Sequence, residues 1–170
     1  MFTFVPEYYF EKFSAATPEF LISIGVKGIV LDIDNTLEPY EHPRAGEHVV
    51  HWFDALASAG IKAAIVSNNN EERVDTFNLD FGIPAYPRAG KPFKKNVLRA
   101  IEDMGIKREE VILMGDQVFT DVWAAHNAKI PAILVPPIND RKDLLTKFKR
   151  LLEKPILSIY KKKNTQANGE

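Results

Sequence analysis

An apolar run that breaks straight into paired carboxylates dictates the layout of this chain: Gly28-Ile29-Val30-Leu31-Asp32-Ile33-Asp34-Asn35-Thr36-Leu37. Ile29, Val30 and Leu31 read as a buried strand, and the next residues are Asp32 and Asp34. A closed core would reject two neighbouring carboxylates, because an unpaired buried charge is costly to desolvate. At the open end of a sheet they form a negative pocket that wants a cation, and hard oxygen donors suit Mg²⁺. A solvated turn is the plainer alternative, since Asp and Asn are turn formers. An EF-hand loop is excluded, because the sixth position counted from Asp32 is Leu37 rather than Gly and the twelfth is Pro43 rather than Glu.

Strand-like and helix-like segments then alternate. Residues 46–59 carry Val49, Phe53 and Leu56 at helical spacing and stop at Gly60. Residues 61–66 form a second apolar strand ending in Ser67-Asn68-Asn69-Asn70; 71–79 is a short helix and 83–86 a brief strand. Pro92 opens a helix with Phe93, Val97, Ile101 and Met104 on one face, closed by Gly105. Residues 111–114 run into Gly115-Asp116-Gln117, 119–128 are helical, and 132–135 are the last strand. Such alternation implies right-handed βαβ crossovers and a parallel sheet, hence an α/β fold. Ligands of open α/β sheets sit beyond the carboxyl ends of the strands. Asp32 and Asp34, Ser67 and Asn68, and Asp116 all fall at such ends, and Lys91 just precedes a helix start. Independent turns do not predict that convergence.

These groups can transfer a phosphoryl group. A carboxylate beside Mg²⁺ can attack phosphorus and form an aspartyl-phosphate, with positioning and charge neutralisation carrying the catalysis. Asp32 is the expected nucleophile, and Asp34 protonates the leaving oxygen and then deprotonates the attacking water. Ser67 and Asn68 bind phosphate, Lys91 offsets the growing negative charge, and Asp116 completes the metal shell.

The set Asp32-x-Asp34-x-Thr36, Ser67, Lys91 and Gly115-Asp116-x-x-x-x-Asp121 resembles, in order, the motifs of the haloacid dehalogenase (HAD) superfamily of phosphatases. That resemblance implies a three-layer α/β/α Rossmann-like fold with a five-stranded parallel sheet in the order 5-4-1-2-3. It also implies that the Asp34 backbone carbonyl ligates Mg²⁺ along with Asp32 and Asp116, that Thr36 steadies the loop, and that Asp121 is a second acid near the metal or Lys91. Asp-Ile-Asp-Asn-Thr-Leu, Gly-Asp-Gln-x-x-Thr-Asp and the length narrow the resemblance to the capless IIIA subgroup. Within it, the chain is similar to YqeG-type phosphatases, which are related to phosphatidylglycerophosphate phosphatases. One departure is Trp123-Ala124-Ala125-His126-Asn127, where small residues followed by Asn-Arg are expected. The intervals 36–61 and 70–91 leave no room for a separate lid, so the site should be open to a large or surface-bound substrate.

A length of 170 residues suits one domain, the absence of Cys excludes thiolate chemistry and Cys-metal sites, and no apolar run is long enough to span a bilayer. Acidic Glu7 and Glu11 and no basic leader argue against a secretory signal, so a cytoplasmic location is expected. Within 1–27, Phe2, Phe4, Tyr8, Tyr9, Phe10 and Phe13 either cover one sheet edge or anchor at a lipid interface. Thr17, Pro18 and Gly25 mark a short helix between them. The net charge of −1 hides an asymmetry: Arg141 to Lys163 sums to +7 and the remainder to −8. The stripe Leu144, Leu145, Phe148, Leu151 and Leu152 predicts an amphipathic helix that packs on the sheet or, with Lys161-Lys162-Lys163, holds the protein at an anionic membrane. Residues 164–170 are expected to be disordered.

His42, His48, His51 and His126 make no convincing ligand set and are read as exposed structural residues, while Trp52 and Trp123 are read as packing. Nucleic acid is not expected, and oligomeric state is not encoded in any feature found. The reading is therefore a Mg²⁺-dependent phosphomonoesterase, with phosphatidylglycerophosphate at the inner face of the cell membrane as preferred substrate. The alternatives are a soluble phosphatase of a sugar phosphate, nucleotide or phosphoprotein, and a non-catalytic phosphate-binding module.

Overall fold

The computed structural model describes residues 4–139, 155–156 and 158–160 of the 170. The central strand β2 (Gly28–Leu31) is fully buried and pairs in parallel with β3 (Lys62–Val66) on one side and β5 (Val111–Gly115) on the other. Outside these lie β4 (Ala85–Tyr86), beside β3, and β6 (Ala132–Leu134), beside β5. Both faces of the sheet are covered, which is why the strands read as continuous apolar runs. Ile29, Leu31, Ile112 and Met114 face one core with helices α1 (Pro18–Ser23), α2 (Glu47–Ser58) and α3 (Glu71–Asn78), whereas Val30, Val111 and Leu113 face a second core with α4 (Lys95–Met104) and α5 (Trp123–Asn127). The period-two alternation of a strand sorts each run between two layers of helix.

Among the described residues the sheet has six parallel strands rather than the five expected. Tyr8 and Tyr9 form an edge strand, β1, paired with Ile133 and Leu134, so the order is β1-β6-β5-β2-β3-β4. The inner five keep the expected 5-4-1-2-3 arrangement. The N-terminal aromatics are used within the protein: Phe4 meets Phe119 and Trp123, Tyr8 and Phe10 meet Phe20, and Phe13 meets Trp52. Thr17 caps α1 by accepting the Phe20 N–H at 3.2 Å, and Gly105 ends α4 in the left-handed conformation.

Two expectations are corrected. Phe93 lies ahead of α4 and is 75% exposed, because the turn after Pro92 carries it off the Val97–Ile101–Met104 face. His126 is half-buried, not exposed, with its side chain only 5% accessible: its Nε2 lies 3.1 Å from Glu7, whose carboxylate also accepts the Ala132 N–H at 2.8 Å. The stripe in 141–154 lies outside the described residues, as do Phe2 and 164–170; Ile156 packs on the second core, and the Tyr160 hydroxyl accepts the Tyr9 N–H at 3.0 Å. Glu7 thus fastens the edge strand, and Glu7→Ala is expected to cost about 1–3 kcal/mol in urea unfolding by stranding the Ala132 N–H, with Glu7→Gln costing less.

Candidate active site

The strands deliver the acids to one rim. The Asp32 N–H donates to the Met114 carbonyl at 3.0 Å, so the pairing of β2 with β5 continues one residue past the apolar run. Leu31 and Met114 being partners, the extension sets Asp32 near Asp116, which follows Gly115. After Asp34 the chain turns back through Asn35 (φ 63°), and the Thr36, Leu37 and Glu38 amides all donate to the Ile33 carbonyl. Asn tolerates that left-handed conformation better than most residues. The turn brings the Thr36 hydroxyl to Asp116 Oδ1 at 3.2 Å.

Lys91 ties three of these ends together. Its Nζ donates to Asp32 Oδ1 at 2.8 Å and to Asp121 Oδ1 at 2.6 Å, and all three side chains are buried. Asn68 fixes the main chain of Lys91 from both sides, its Oδ1 accepting the Lys91 N–H at 2.7 Å and its Nδ2 donating to the Lys91 carbonyl at 3.0 Å. The Asn68 amide therefore holds Lys91 through its oxygen and one of its two N–H donors. Ser67 is buried where β3 ends, with its hydroxyl accepting the Asn69 N–H at 3.2 Å.

Asp32, Asp116 and Asp121 offer carboxylate oxygens that lie within 4.8 Å of one another. Asp34 stands outside that group. Its carboxylate accepts Arg73 Nε at 2.9 Å and Asn69 Nδ2 at 2.7 Å, which leaves its backbone carbonyl as the group the sequence resemblance assigns to a metal. Arg73 and Asn69 were not singled out in the sequence. The available signal was helical spacing: Arg73 lies next to Val74 and one turn before Phe77, both buried, so its side chain had to face inward. Glu38 was missed as well; it is buried and accepts the Gly46 N–H at 2.6 Å, fixing the start of α2. Arg44 is paired with Asp80, and His42 and His48 lie against Glu38 without joining the acids.

Three buried carboxylates around one ammonium leave an excess of negative charge. Burial pushes the Asp32 carboxyl up to about 7; Lys91 pulls it down, while Asp121 and Asp34 add to the rise. Asp116 is driven well above its ordinary range by burial and by the charges of Asp121 and Asp32. Burial opposes the charge on Lys91, but Asp121 and Asp32 overcome it and hold the ammonium above the usual lysine range. A cluster of hard oxygens short of positive charge fits a divalent cation.

Asp121 reaches this cluster from a π-helical turn, Val118–Val122, which runs into α5; local π geometry of this kind is frequent at functional sites. Its Oδ2 accepts the Gln117 N–H at 3.0 Å, and the side chain lies directly against the Cα of Gly115. A Cβ at position 115 would collide with the Asp121 carboxylate. Gly115→Ala should therefore displace Asp121, unseat Lys91 and reduce phosphate release by about 100-fold or more, as loss of a preorganised charge contact does. The melting curve of the same variant reports how much of that loss is folding.

The fold agrees with comparisons to known proteins. The haloacid dehalogenase-like hydrolase family profile matches residues 40–129. The probable phosphatase YqeG of Bacillus subtilis is 39% identical over 160 residues, covering 94% of this chain and 93% of that protein. Among solved structures, a HAD-superfamily hydrolase from Ehrlichia chaffeensis superposes with a TM-score of 0.54 at 16% identity, covering 75% of this chain and 98% of that one. The cobalt-bound deoxy-D-mannose-octulosonate 8-phosphate phosphatase of Haemophilus influenzae gives 0.52 at 13% identity, over 80% and 90%; these two speak for the fold alone. Identity at the level of the Bacillus protein, across nearly the whole of both chains, is a family relationship, and this protein is a haloacid dehalogenase-like hydrolase, a phosphatase.

Proposed function

We propose that the protein is a Mg²⁺-dependent phosphomonoesterase working through an aspartyl-phosphate on Asp32. The observation that carries this reading is the buried Asp32–Lys91–Asp121 bridge with Asp116 beside it, at the carboxyl ends of the central strands. An Asp32 oxygen attacks phosphorus while the bond from phosphorus to the leaving oxygen breaks, and Asp34 gives that oxygen a proton. Asp34 then takes a proton from water as the water attacks phosphorus and frees Asp32. Ser67 and Lys91 hold the phosphate oxygens, and Asp121 and Asn68 hold Lys91. The carboxylates of Asp32 and Asp116 with the Asp34 carbonyl would bind Mg²⁺, which supplies positive charge to the phosphate oxygens. The deoxy-D-mannose-octulosonate 8-phosphate phosphatase, described as cobalt-bound, supports a divalent ion on this fold.

For substrate we favour a phosphomonoester with a bulky, partly apolar leaving group, of which phosphatidylglycerophosphate is the preferred candidate. The intervals that could hold a lid contain only loops, α2, α3 and β4, in keeping with a capless enzyme. A cavity of about 490 Å³ opens beside the loop after β2, lined in part by Pro39, His42, Pro43 and Ile138. Tyr40, Phe93 and Ile138, from segments at the acid-bearing end of the sheet, are exposed apolar side chains that an apolar substrate or a lipid surface would cover. No helix among the described residues is long and apolar enough to cross a membrane, so membrane contact would be peripheral, aided by the basic segment 141–163.

Asp32→Asn is expected to abolish phosphate release from p-nitrophenyl phosphate in Mg²⁺; undiminished release rules out the nucleophile. In a panel of sugar phosphates, nucleotides and phosphatidylglycerophosphate in mixed micelles, the lipid should give the highest kcat/KM, and a far better soluble ester would replace it.

Metal and pH make a second test, on stability. Because the folded state holds the Asp32 proton more tightly than the unfolded chain (about 7 against 3.8), folded stability drops as pH rises from about 4 to about 7 when chelator is present. The raised Asp116 acts with the same sign. Near neutral pH, Mg²⁺ at 100 times its Kd should restore about 2.7 kcal/mol, read as a higher Tm. A Tm insensitive to Mg²⁺ would remove the metal from the proposal.

A further inference from the structure

We propose that Arg73 is a positioning residue for Asp34: its guanidinium fixes the carboxylate outside the metal acids, where it can serve the leaving-group oxygen. The inference rests on the acid role given to Asp34 above.

Arg73 is not a surface cation that happens to lie near an acid. Its side chain is 8% exposed and is held on three sides. Nε donates to Asp34 Oδ1 at 2.9 Å, Nη1 donates to the Pro43 carbonyl at 2.8 Å, and the guanidinium lies 5.6 Å from the centre of the Phe77 ring. Its remaining nitrogen, Nη2, is buried with no hydrogen-bond partner. An uncompensated buried donor lowers stability, a cost that the contacts with Asp34, Pro43 and Phe77 must offset. What the arginine adds is a rigid planar fork that lysine cannot reproduce. Asn69 completes the grip by donating to the other carboxylate oxygen of Asp34 at 2.7 Å.

The need for such a grip follows from the loop. Asp34 lies two residues beyond Asp32, and a free carboxylate there would be drawn to the cation that Asp32 and Asp116 are suited to hold. A carboxylate bound to that cation would be turned away from the leaving-group oxygen. Arg73 and Asn69 offer it a competing pair of partners on α3 and the loop before it. They fix its direction through both of its oxygens, Oδ2 exchanging its Asn69 hydrogen bond for the proton it passes to the leaving oxygen, while the Pro43 contact ties the same guanidinium to the loop that lines the neighbouring cavity.

The test separates this role from a merely structural one through the acidity of the leaving group. The protein in Mg²⁺ is assayed on p-nitrophenyl phosphate and on phenyl phosphate, which are similar in size but differ in how much their leaving oxygen needs a proton. The ratio of the two kcat/KM values is taken within each preparation. It is independent of the folded fraction, and it excludes hydrolysis of the shared phosphoenzyme. Asp34→Asn provides the reference loss. Both Arg73→Lys and Arg73→Gln should lower the phenyl to p-nitrophenyl ratio by about 10-fold or more, within the range that general acid catalysis contributes. If Asp34→Asn lowers the ratio and neither Arg73 variant does, the proposal is overturned while the acid assignment stands. If Asp34→Asn leaves the ratio unchanged, the acid assignment falls and the proposal with it. Should these variants not fold, Arg73→Met, which keeps an apolar stem against Phe77, decides, and an unchanged ratio there overturns the proposal.

Discussion

The ammonium of Lys91 is the contact on which the rest of the active end depends. It lies between Asp32, at the end of β2, and Asp121, on the turn after β5, and Asn68 at the end of β3 clamps its backbone. Three strand ends are thereby joined through one side chain. Without it three buried carboxylates would face one another, an arrangement that burial and mutual repulsion make untenable in the ionised state. The lysine does not neutralise them all. The raised carboxyls of Asp32 and Asp116 are the residue of that imbalance, and the protein carries it as a cost in stability at neutral pH.

The same imbalance makes the chemistry conditional. A phosphate monoester is itself an anion, and it would meet Asp32, Asp116 and Asp121 with only one buried ammonium to attract it. A divalent cation reverses the sign of that encounter, which is why the acid count favours a metal-assisted reaction over a lysine acting alone. Asp34 is outside this argument because Arg73 already answers its charge. The site therefore divides its acids by partner: Asp121 and Asp32 share the lysine, Asp34 takes the arginine, and Asp116, held by the Thr36 hydroxyl, has no cationic side chain in contact among the described residues.

What the sequence disclosed, and what it hid, follow from the range of the interactions. The run Ile29-Val30-Leu31 and the acids after it were legible because strand periodicity and buried charge are local properties. That Asp32, Ser67 and Asp116 follow neighbouring strands at one rim was legible because parallel topology sends every strand end the same way. Side-chain partnerships across elements were not. Asn68 could be placed at a strand end, but its grip on Lys91 spans 23 positions, and Arg73 reaches back 39 positions to Asp34. The edge strand was hidden because two tyrosines are too short a run to announce pairing, and they need Ile133 and Leu134 beside them. Phe93 was misread because Pro92 displaced the helix start by three residues, so the apolar spacing that included it was accidental.

The departure at 123–127 shows how a distant segment can absorb a local change. Trp123 is too large for a helix packed closely on the site, and His126 brings a polar ring into a buried position. Both are met by the N-terminal segment: Phe4 sets its ring edge against Trp123 at 5.2 Å, and Glu7 takes His126 while capping the edge of β6. Phe4 also touches Phe119, so the two aromatic neighbours it packs on flank Asp121 in the chain. The extra strand therefore does more than close a sheet edge. It buttresses the turn that presents Asp121 to Lys91, and through that pair it helps fix the ammonium on which the acid cluster relies.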